Sequence, residues 1–238
     1  MKYKRVLVKL SGEALKGEDS QILDAEKLTN IAKAIKLLRE NDVQVCIVVG
    51  AGNIWRGNLA DSIGIEQATA DYMGMLGTII NGMAIANAVE REGNPTRVMT
   101  SLEIKQVAEP YIHKRALRHL EKGRVVIFTA GTGNPYFTTD TAAALRAREM
   151  YCDAILMAKN GVEGIYTADP HVDKSATLIK NITYAELLSR NLKVMDATAV
   201  SILRESDIVT RVFDMGDIQN FARIINDEPI GTTIRKGE

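Results

Sequence analysis

A lysine at the end of a short apolar run is the first residue whose position indicates chemistry. The run VLVKL at 6–10 has the character of a strand buried on both faces, and Lys9 is its single charge. A buried ammonium is costly unless it lies at the end of the strand and meets an anion, and Ser11-Gly12 marks that end. Lys9 is therefore either an anion-binding group or a lysine that extends to solvent from a strand terminus.

A loop rich in small hydrogen-bond donors is the second candidate. The segment TAGTGNPYFTTD at 129–140 follows the strand-like run RVVIF and precedes a helical stretch. Open α/β sheets bind their ligands at such carboxyl ends of strands. Gly131 and Gly133 allow a ligand to approach the backbone, and the free N–H groups of the helix that begins near Thr139 or Asp140 favour an anion.

The same loop carries aromatic side chains and three threonine hydroxyls. Tyr136 and Phe137 supply flat apolar surface that suits an aromatic base as well as it suits a core. The alternative is a glycine-rich turn whose threonines only cap the next helix. Capping needs one hydroxyl, whereas Thr132, Thr138 and Thr139 supply three.

A third loop, GAGNIWRG at 50–57, follows the β-prone run VQVCIVV. The dinucleotide fingerprint GxGxxG would need a glycine where Trp55 stands, and the Walker pattern GxxxxGK[ST] does not occur in the chain. The loop is thus a phosphate-binding candidate of another type. Arg56 is available in it as a bidentate anion donor.

Helical spacing from about Glu66 to Glu92 predicts a long helix with Asp71 near its start. Asp71 is either a ligand to a sugar hydroxyl or a first-turn acid favoured by the helix dipole. The apolar residues at helical spacing indicate core or a subunit interface, and they are Met73, Leu76, Ile80, Met83 and Ala84.

Strand and helix patterns alternate along the rest of the chain. A helix begins at the N-cap Asp24, and two helical pieces split by Pro110 follow a short strand at 96–99. Further strands are predicted at 154–158, 208–213 and 232–234, and further helices at 198–205 and 217–226. We expect an α/β three-layer sandwich around a central, mainly parallel sheet. Four strand ends with glycine-rich or polar loops would gather on one edge of it, which indicates nucleotide or phosphate chemistry.

The composition limits the possible partners and compartments. The 238 residues hold 30 basic and 30 acidic side chains, so the charge balance gives no case for a nucleic acid or an acidic membrane as partner. The N-terminus lacks a signal-peptide core, and no stretch approaches the roughly 18 apolar residues that span a bilayer. Cys46 and Cys152 read as two buried thiols of a reducing compartment. We expect a soluble, cytoplasmic protein.

Six segments in order carry a resemblance to a known family: KLSGEAL at 9–15, GAGNIWRG at 50–57, DYMGM at 71–75, TAGTGNPYFTTD at 129–140, GVEGIYTADP at 161–170 and LKVMD at 192–196. Together they closely resemble the bacterial uridylate kinases of the amino-acid kinase superfamily over the full length. The resemblance implies phosphorylation of UMP by ATP with Mg²⁺, in pyrimidine nucleotide biosynthesis. It also implies a homohexamer and feedback inhibition by UTP at the UMP site.

The family's site residues carry over to matching positions. For ATP they are Lys9, Leu10, Ser11, Gly12, Gly52, Arg56, Asn160, Tyr166 and Asp169. For UMP they are Ala51, Asp71, Thr132, Gly133, Asn134, Pro135, Tyr136, Phe137, Thr138 and Thr139. Lys9, Arg56 and Asp196 match the catalytic positions, with Asp196 as organiser of Lys9. No protein ligand set for a metal is implied, because Mg²⁺ is carried by the ATP phosphates. The resemblance implies one domain at 1–238, with an acceptor lobe at roughly 1–150 and an ATP lobe at roughly 151–238.

Two departures from the family pattern have consequences. Ala51 replaces the second glycine of the GGGN loop, which requires a negative φ there. The segment 17–22, GEDSQI, lacks the usual glycine and phenylalanine of the GTP-responsive segment, so we expect weak or no activation by GTP. Another small-molecule kinase of the superfamily, or a non-catalytic nucleotide-binding protein of the same fold, are the alternatives. The loop TGNPYFTTD argues against the first, and Lys9, Arg56 and Asp196 argue against the second.

Overall fold

The computed structural model describes residues 3–17, 21–168, 172–192 and 194–237, without the side chains of Asn58 and Asp61. The strands in this part of the chain are β1 (Arg5–Leu10), β2 (Gln44–Val49), β3 (Thr96–Thr100), β4 (Glu109–Pro110), β5 (Val125–Thr129), β6 (Ala154–Lys159), β7 (Ile165–Tyr166), β8 (Leu178–Ile179), β9 (Asn181–Thr183), β10 (Val209–Asp214) and β11 (Thr232–Arg235). The helices are α1 (Ala25–Glu40), α2 (Gln67–Arg91), α3 (His113–Glu121), α4 (Thr139–Glu149), α5 (Tyr184–Ser189), α6 (Ala197–Arg204) and α7 (Gln219–Ile225).

One nine-stranded sheet holds most of these strands, in the order β4-β3-β5-β2-β1-β6-β10-β11-β9. Neighbouring strands are parallel except for the β10–β11 pair, which confirms the mainly parallel sheet. Strand β1 lies at the centre, with Lys9 beside Val48 of β2 and Met157 of β6. The division into lobes at about residue 150 stays a prediction, and the sheet itself is continuous across it.

Helices cover both faces of the sheet, which confirms the three-layer sandwich. Val6, Val8 and Leu10 of β1 belong to the core on the side of α1, α2 and α7. Leu7 belongs to the core on the side of α3, α4, α5 and α6. Because successive side chains of a strand alternate between faces, Lys9 lies on the face of Leu7, the side that α4 covers.

Local signals explain most element boundaries. Asp24 caps α1 by accepting a hydrogen bond from the backbone N–H of Lys27 at 2.8 Å, as predicted.

The prediction of two helical pieces split by Pro110 was wrong. The short strand β4 pairs with β3 at this point through Met99 and Glu109, and only α3 is helical here. Proline has no backbone N–H to donate, which disfavours a helix interior and is tolerated at a sheet edge.

Helix α2 differs from one expectation. By length and composition it meets the requirement for a membrane span, which no stretch was expected to approach. Half of its apolar window is buried, and residues such as Ile85 and Val89 pack in the core beneath it. Its other face leaves a stripe of apolar side chains 44–51% exposed, namely Tyr72, Leu76, Ile80 and Met83. We call this set the α2 stripe.

The two cysteines are buried and free, as predicted. Burial raises the pKa of the Cys152 thiol well above its ordinary value, and the neighbouring Cys46 raises it further. The Cys152 thiol is therefore kept protonated inside the sandwich.

Candidate active site

Lys9 reaches an anion, as one of its two readings requires. Its Nζ lies 2.7 Å from Oδ1 of Asp140, and the two side chains are 14% and 19% exposed. Asp140 stands in the first turn of α4, where the helix dipole stabilises a carboxylate. The contact is an ion pair more than an aligned hydrogen bond, since Oδ1 has no hydrogen-bond partner. The lysine is thus held near the carboxyl end of the central strand.

The contacts of Asp196 that the structure describes are with residues other than Lys9, so its role as organiser of Lys9 stays a prediction. Its carboxylate accepts hydrogen bonds from the hydroxyls of Thr138 and Thr141, the latter at 3.0 and 3.1 Å, and from the backbone N–H of Ala199. Burial acts to raise the pKa of Asp196, but these hydrogen bonds outweigh it and hold the pKa below its ordinary value. Asp196 therefore fixes the start of α4 and caps α6, while Asp140 takes the place beside Lys9.

A second lysine, which the sequence reasoning did not assign, lies at the same point. Lys159 ends β6 and lines a cavity of about 400 Å³ together with Lys9, Ser11 and Asn160, which we call the lysine cavity. Burial lowers the pKa of Lys159, and repulsion from the Lys9 ammonium lowers it further against the opposing effect of Asp140. A lysine closing an apolar strand next to β1 was the available signal, since AILMAK repeats the pattern of VLVKL. The cavity thus presents two ammonium groups to an anion.

The turn after β1 and the loop after β2 are in close contact. A Cβ atom on Gly12 would lie 2.5 Å from both the Asn53 side chain and the Gly52 backbone N, so only glycine fits there. Arg56 bonds to Oε1 of Glu13 at 2.6 Å and to the carbonyl of Gly52 at 3.3 Å, with its side chain 55% exposed. Arg56 therefore stands at the rim of the lysine site, where its partner is a solvent-accessible carboxylate.

A smaller cavity of about 160 Å³ lies beside the lysine site, and we call it the acceptor cavity. Five of the residues predicted for UMP line it: Ala51, Asp71, Thr132, Phe137 and Thr139. Ala51 is not among the described residues with positive φ, so the requirement for an alanine at this position is met. The predicted residues Gly133, Asn134, Pro135, Tyr136 and Thr138 belong to the surrounding loop without lining the cavity.

The loop residues have structural roles of their own. Asp71 accepts a hydrogen bond from the backbone N–H of Tyr136 at 2.7 Å, while the Tyr136 side chain is 74% exposed. Thr138 caps α4 by accepting from the N–H groups of Asp140 and Thr141. Of the two predicted aromatics, only Phe137 faces the acceptor cavity.

Trp55 is the aromatic residue that the sequence reasoning passed over. It lines the acceptor cavity, and its indole Nε1 is buried without a hydrogen-bond partner. It was treated only as the residue that breaks the dinucleotide fingerprint. Being the single tryptophan of the chain inside a glycine-rich loop was the signal available.

The remaining residues predicted for ATP, which are Asn160, Tyr166 and Asp169, are not all found at a cavity. Asn160 lines the lysine cavity and an adjoining cavity of about 490 Å³. Tyr166 lies in the β7–β8 hairpin, and its hydroxyl donates to Glu163 at 2.9 Å instead of facing these cavities. Asp169, and residues 18–20 of the segment on which the GTP prediction rests, lie outside the described residues. Those predictions stay open.

Metal ligation by the protein alone finds no support in the part of the chain that the structure describes, because no three His, Cys, Asp or Glu side chains cluster there. Glu13 lines the lysine cavity, and Asp140 pairs with Lys9. Mg²⁺ is commonly held by one or two carboxylates, water and substrate phosphates, and this residue set fits such an arrangement.

Comparison with known proteins places the chain among small-molecule kinases. The profile of the amino acid kinase family matches residues 4–214. The chain belongs to this family. Among solved structures, this family member is similar to a UMP kinase from Bacillus anthracis, with a TM-score of 0.97 and 40% identity over 100% of this chain and 98% of that one.

Two further kinases of known structure are similar over nearly their whole length. A UMP kinase from Ureaplasma parvum gives a TM-score of 0.93 with 38% identity, covering 99% of this chain and 100% of that one. A uridylate kinase from Archaeoglobus fulgidus gives a TM-score of 0.74 with 29% identity, covering 96% of this chain and 99% of that one. This amino acid kinase therefore shares its whole fold with the UMP kinase branch.

Proposed function

We propose that this amino acid kinase transfers the γ-phosphoryl group of ATP to UMP and releases UDP and ADP. The observation that carries the proposal is the meeting of two cavities at one helix N-terminus. Thr139 lines the acceptor cavity, and the next residue, Asp140, pairs with Lys9 in the lysine cavity. Full-length similarity to three UMP or uridylate kinases supports UMP as the acceptor.

The mechanism follows from the charges at this junction. Phosphoryl transfer needs little covalent help from a protein and depends on in-line positioning and on neutralising the charge of the moving group. Lys9 and Lys159 supply fixed positive charge at the transferred phosphoryl group, and Arg56 adds a third cation when it leaves Glu13 for a phosphate. The dipole at the N-terminus of α4 also favours an anion beside Lys9. Mg²⁺ carried on the ATP phosphates would offset part of their charge, with Asp140 and Glu13 as the carboxylates available to hold it.

The acceptor is held by the cavity beside the lysines. The Asp71 carboxylate is placed at its wall by Gln67 and the Tyr136 backbone, so it can accept from a sugar hydroxyl. Trp55 and Phe137 provide flat surfaces for a base at the same cavity. UTP, which contains the uridine of UMP, competes for this cavity as a feedback inhibitor.

The proposed assembly is a homohexamer in the cytoplasm, acting in pyrimidine nucleotide biosynthesis. The α2 stripe supports an oligomer, because contiguous exposed apolar side chains on a long helix mark interaction surfaces. We infer that a second copy of the chain packs against this stripe, on the helix that also lines the acceptor cavity.

The deciding experiment is a coupled assay of ADP release with four acceptors: UMP, CMP, acetylglutamate and carbamate. We expect activity with UMP and Mg²⁺ and little with the other three. Turnover of acetylglutamate or carbamate would assign the chain to another branch of the family. Nucleotide binding without ADP release from any acceptor would make it a non-catalytic nucleotide-binding protein.

A further inference from the structure

Arg146 is a buried arginine that the proposed mechanism does not use. It lies in the last turns of α4, and its side chain is only 8% exposed. Its Nη1 donates to Glu149 at 2.5 Å, and its Nη2 donates to the hydroxyl of Ser101 at 2.9 Å. Its Cζ lies 3.7 Å from the ring centroid of Tyr111. A buried charge with partners on several elements holds them in one arrangement, since removing it would leave those partners unpaired.

Ser101 passes this constraint to the loop around the acceptor cavity. It follows β3, accepts from Arg146, and donates its one hydroxyl proton to the carbonyl of Gly131 at 3.0 Å. The Cβ atom of Ser101 also packs against the loop at Gly133, where an added Cβ atom would lie 3.1 Å from it. A continuous chain of contacts therefore runs from Glu149 through Arg146 and Ser101 to Gly131.

The loop needs such support because its backbone is in an unfavourable conformation. Four of its residues have positive φ: Ala130 at 60°, Gly131 at 55°, Gly133 at 82° and Tyr136 at 69°. Two of them are not glycine, so surrounding contacts must impose the conformation. Thr78 binds the N–H of Ala130 at 2.7 Å and Asp71 binds the N–H of Tyr136 at 2.7 Å. Ser101 holds the Gly131 carbonyl that lies between these two points.

The direction of this hold determines what the loop offers a ligand. A trans peptide places its C=O and N–H on opposite sides, so fixing the Gly131 carbonyl also fixes the N–H of Thr132. Ser101, Arg146 and Thr132 line an outer cavity of about 230 Å³, and Gly131 and Thr132 line the acceptor cavity. The Gly131 carbonyl is bonded to Ser101, so the N–H of Thr132 points away from Ser101.

We propose that Arg146 is a positioning residue for the acceptor: acting through Ser101, it orients the Gly131–Thr132 peptide so that the Thr132 N–H donates to an oxygen of the bound acceptor. This inference rests on the proposed function of the acceptor cavity. It assigns the arginine a role in acceptor affinity that is separate from the charge stabilisation by the lysines.

The test uses Ser101→Ala and Arg146→Lys in the full chain. Ser101→Ala breaks the chain of contacts while leaving the buried arginine in place, and Arg146→Lys keeps the charge without the two-nitrogen fork. Loss of one oriented hydrogen bond should raise the UMP KM and Kd about five- to tenfold in both variants. The ATP KM should stay within about twofold of wild type, because the lysine cavity is untouched. Ser206→Ala is the matched control, since it removes a serine-to-carbonyl bond of 2.8 Å on another element.

Three outcomes separate the possibilities. A selective rise in UMP KM and Kd, absent in Ser206→Ala, supports the positioning role. Unchanged UMP affinity in Ser101→Ala, or equal losses for UMP and ATP that follow the loss of thermal stability, overturns it. Failure of the wild-type enzyme to phosphorylate UMP in the same assay refutes the proposed function instead, so the two failures are distinct.

Discussion

The Lys9 ammonium lies 2.7 Å from a carboxylate oxygen of Asp140, which ties the end of the central strand to the first turn of α4. The pair stands between the lysine cavity and the acceptor cavity. A bound triphosphate offers Lys9 a more highly charged anion than one carboxylate does. Lys9 can therefore exchange partners on ATP binding, and Asp140 keeps it in place beforehand.

Lys9→Met tests the transition-state role of this lysine. The methionine keeps the apolar stem within the β1 face and deletes the charge, so folding should survive. Removing one preorganised electrostatic donor should lower kcat on the order of 10² to 10³-fold. UMP affinity, measured by calorimetry, should change little, because the residues lining its proposed cavity lie on other segments. Lys105→Met is the control, as that side chain is 70% exposed. A Lys9→Met enzyme with more than about a third of wild-type turnover would contradict the role.

A double-mutant cycle distinguishes the two carboxylates near Lys9. Asp140→Asn and Asp196→Asn are each combined with Lys9→Met, and ATP affinity and kcat are measured for every variant. Residues in contact are energetically coupled, so Asp140 should show a coupling of about 0.5–3 kcal/mol with Lys9, and Asp196 a smaller one. Equal coupling for both would return Asp196 to the position beside Lys9.

Asp196→Asn should also weaken the dependence of the free energy of unfolding on acidic pH. The folded-state pKa of Asp196 is depressed, so its stabilising effect is present above the ordinary value of 3.8 and is lost as pH falls through the folded pKa. The wild-type free energy of unfolding should therefore fall over this acidic range more steeply than that of the variant. Unfolding by denaturant at a series of pH values from 6 downward measures this free energy. Asp24→Asn, which changes the cap of α1, serves for comparison. Parallel curves for wild type and Asp196→Asn would contradict it.

The lowered pKa of Lys159 predicts proton uptake on nucleotide binding. Between its folded pKa and the ordinary value of 10.5, the free enzyme holds this lysine partly neutral, because burial and Lys9 disfavour the charge. A bound triphosphate favours the ammonium, so binding at alkaline pH should take up protons. Calorimetry with a non-hydrolysable ATP analogue, in two buffers of different ionisation enthalpy, measures the uptake. Lys159→Met should reduce it, and Lys159→Arg should keep ATP affinity to higher pH. The same proton uptake in Lys159→Met would exclude Lys159 as its source.

The α2 stripe predicts the effect of one charge on assembly. Ile80→Glu places a carboxylate in the middle of the exposed apolar residues and should shift the proposed hexamer to smaller species, which light scattering after gel filtration detects. Val172→Glu is the matched control, since Val172 is 84% exposed and lies outside the stripe. An unchanged mass for Ile80→Glu would place the subunit contact elsewhere.

Motif position predicted the parts of the site that lie at strand ends. Lys9, Gly12 and Gly52 follow directly from the rule that parallel strands gather their carboxyl ends, and the sheet does bring them together. Asp140 could not be chosen over Asp196 from the sequence, because the choice depends on how the starts of α4 and α6 approach each other. Those helices meet through the bonds of Asp196 to Thr138 and Thr141, a tertiary contact that has no local signal.

The same reasoning explains the two larger errors. Helical pieces were predicted on both sides of Pro110, but the partner strand β3 decides the backbone there. The lysine at the end of AILMAK was a weak signal for Lys159 by itself, because its environment arises only when β6 pairs beside β1. The length of α2 was predicted from the periodicity of its apolar residues. Which of its faces remains exposed depends on how the helix packs on the sheet.

Helix α4 carries Asp140 in its first turn and Arg146 six residues later, about 9 Å along the axis. The first residue meets the cation for the donor, and the second supports the loop for the acceptor. In the proposed mechanism, contacts of the single helix α4 thus help to position both substrates. In the proposed mechanism, one helix therefore sets the distance between the donor site and the acceptor site, and movements of other segments leave that distance unchanged.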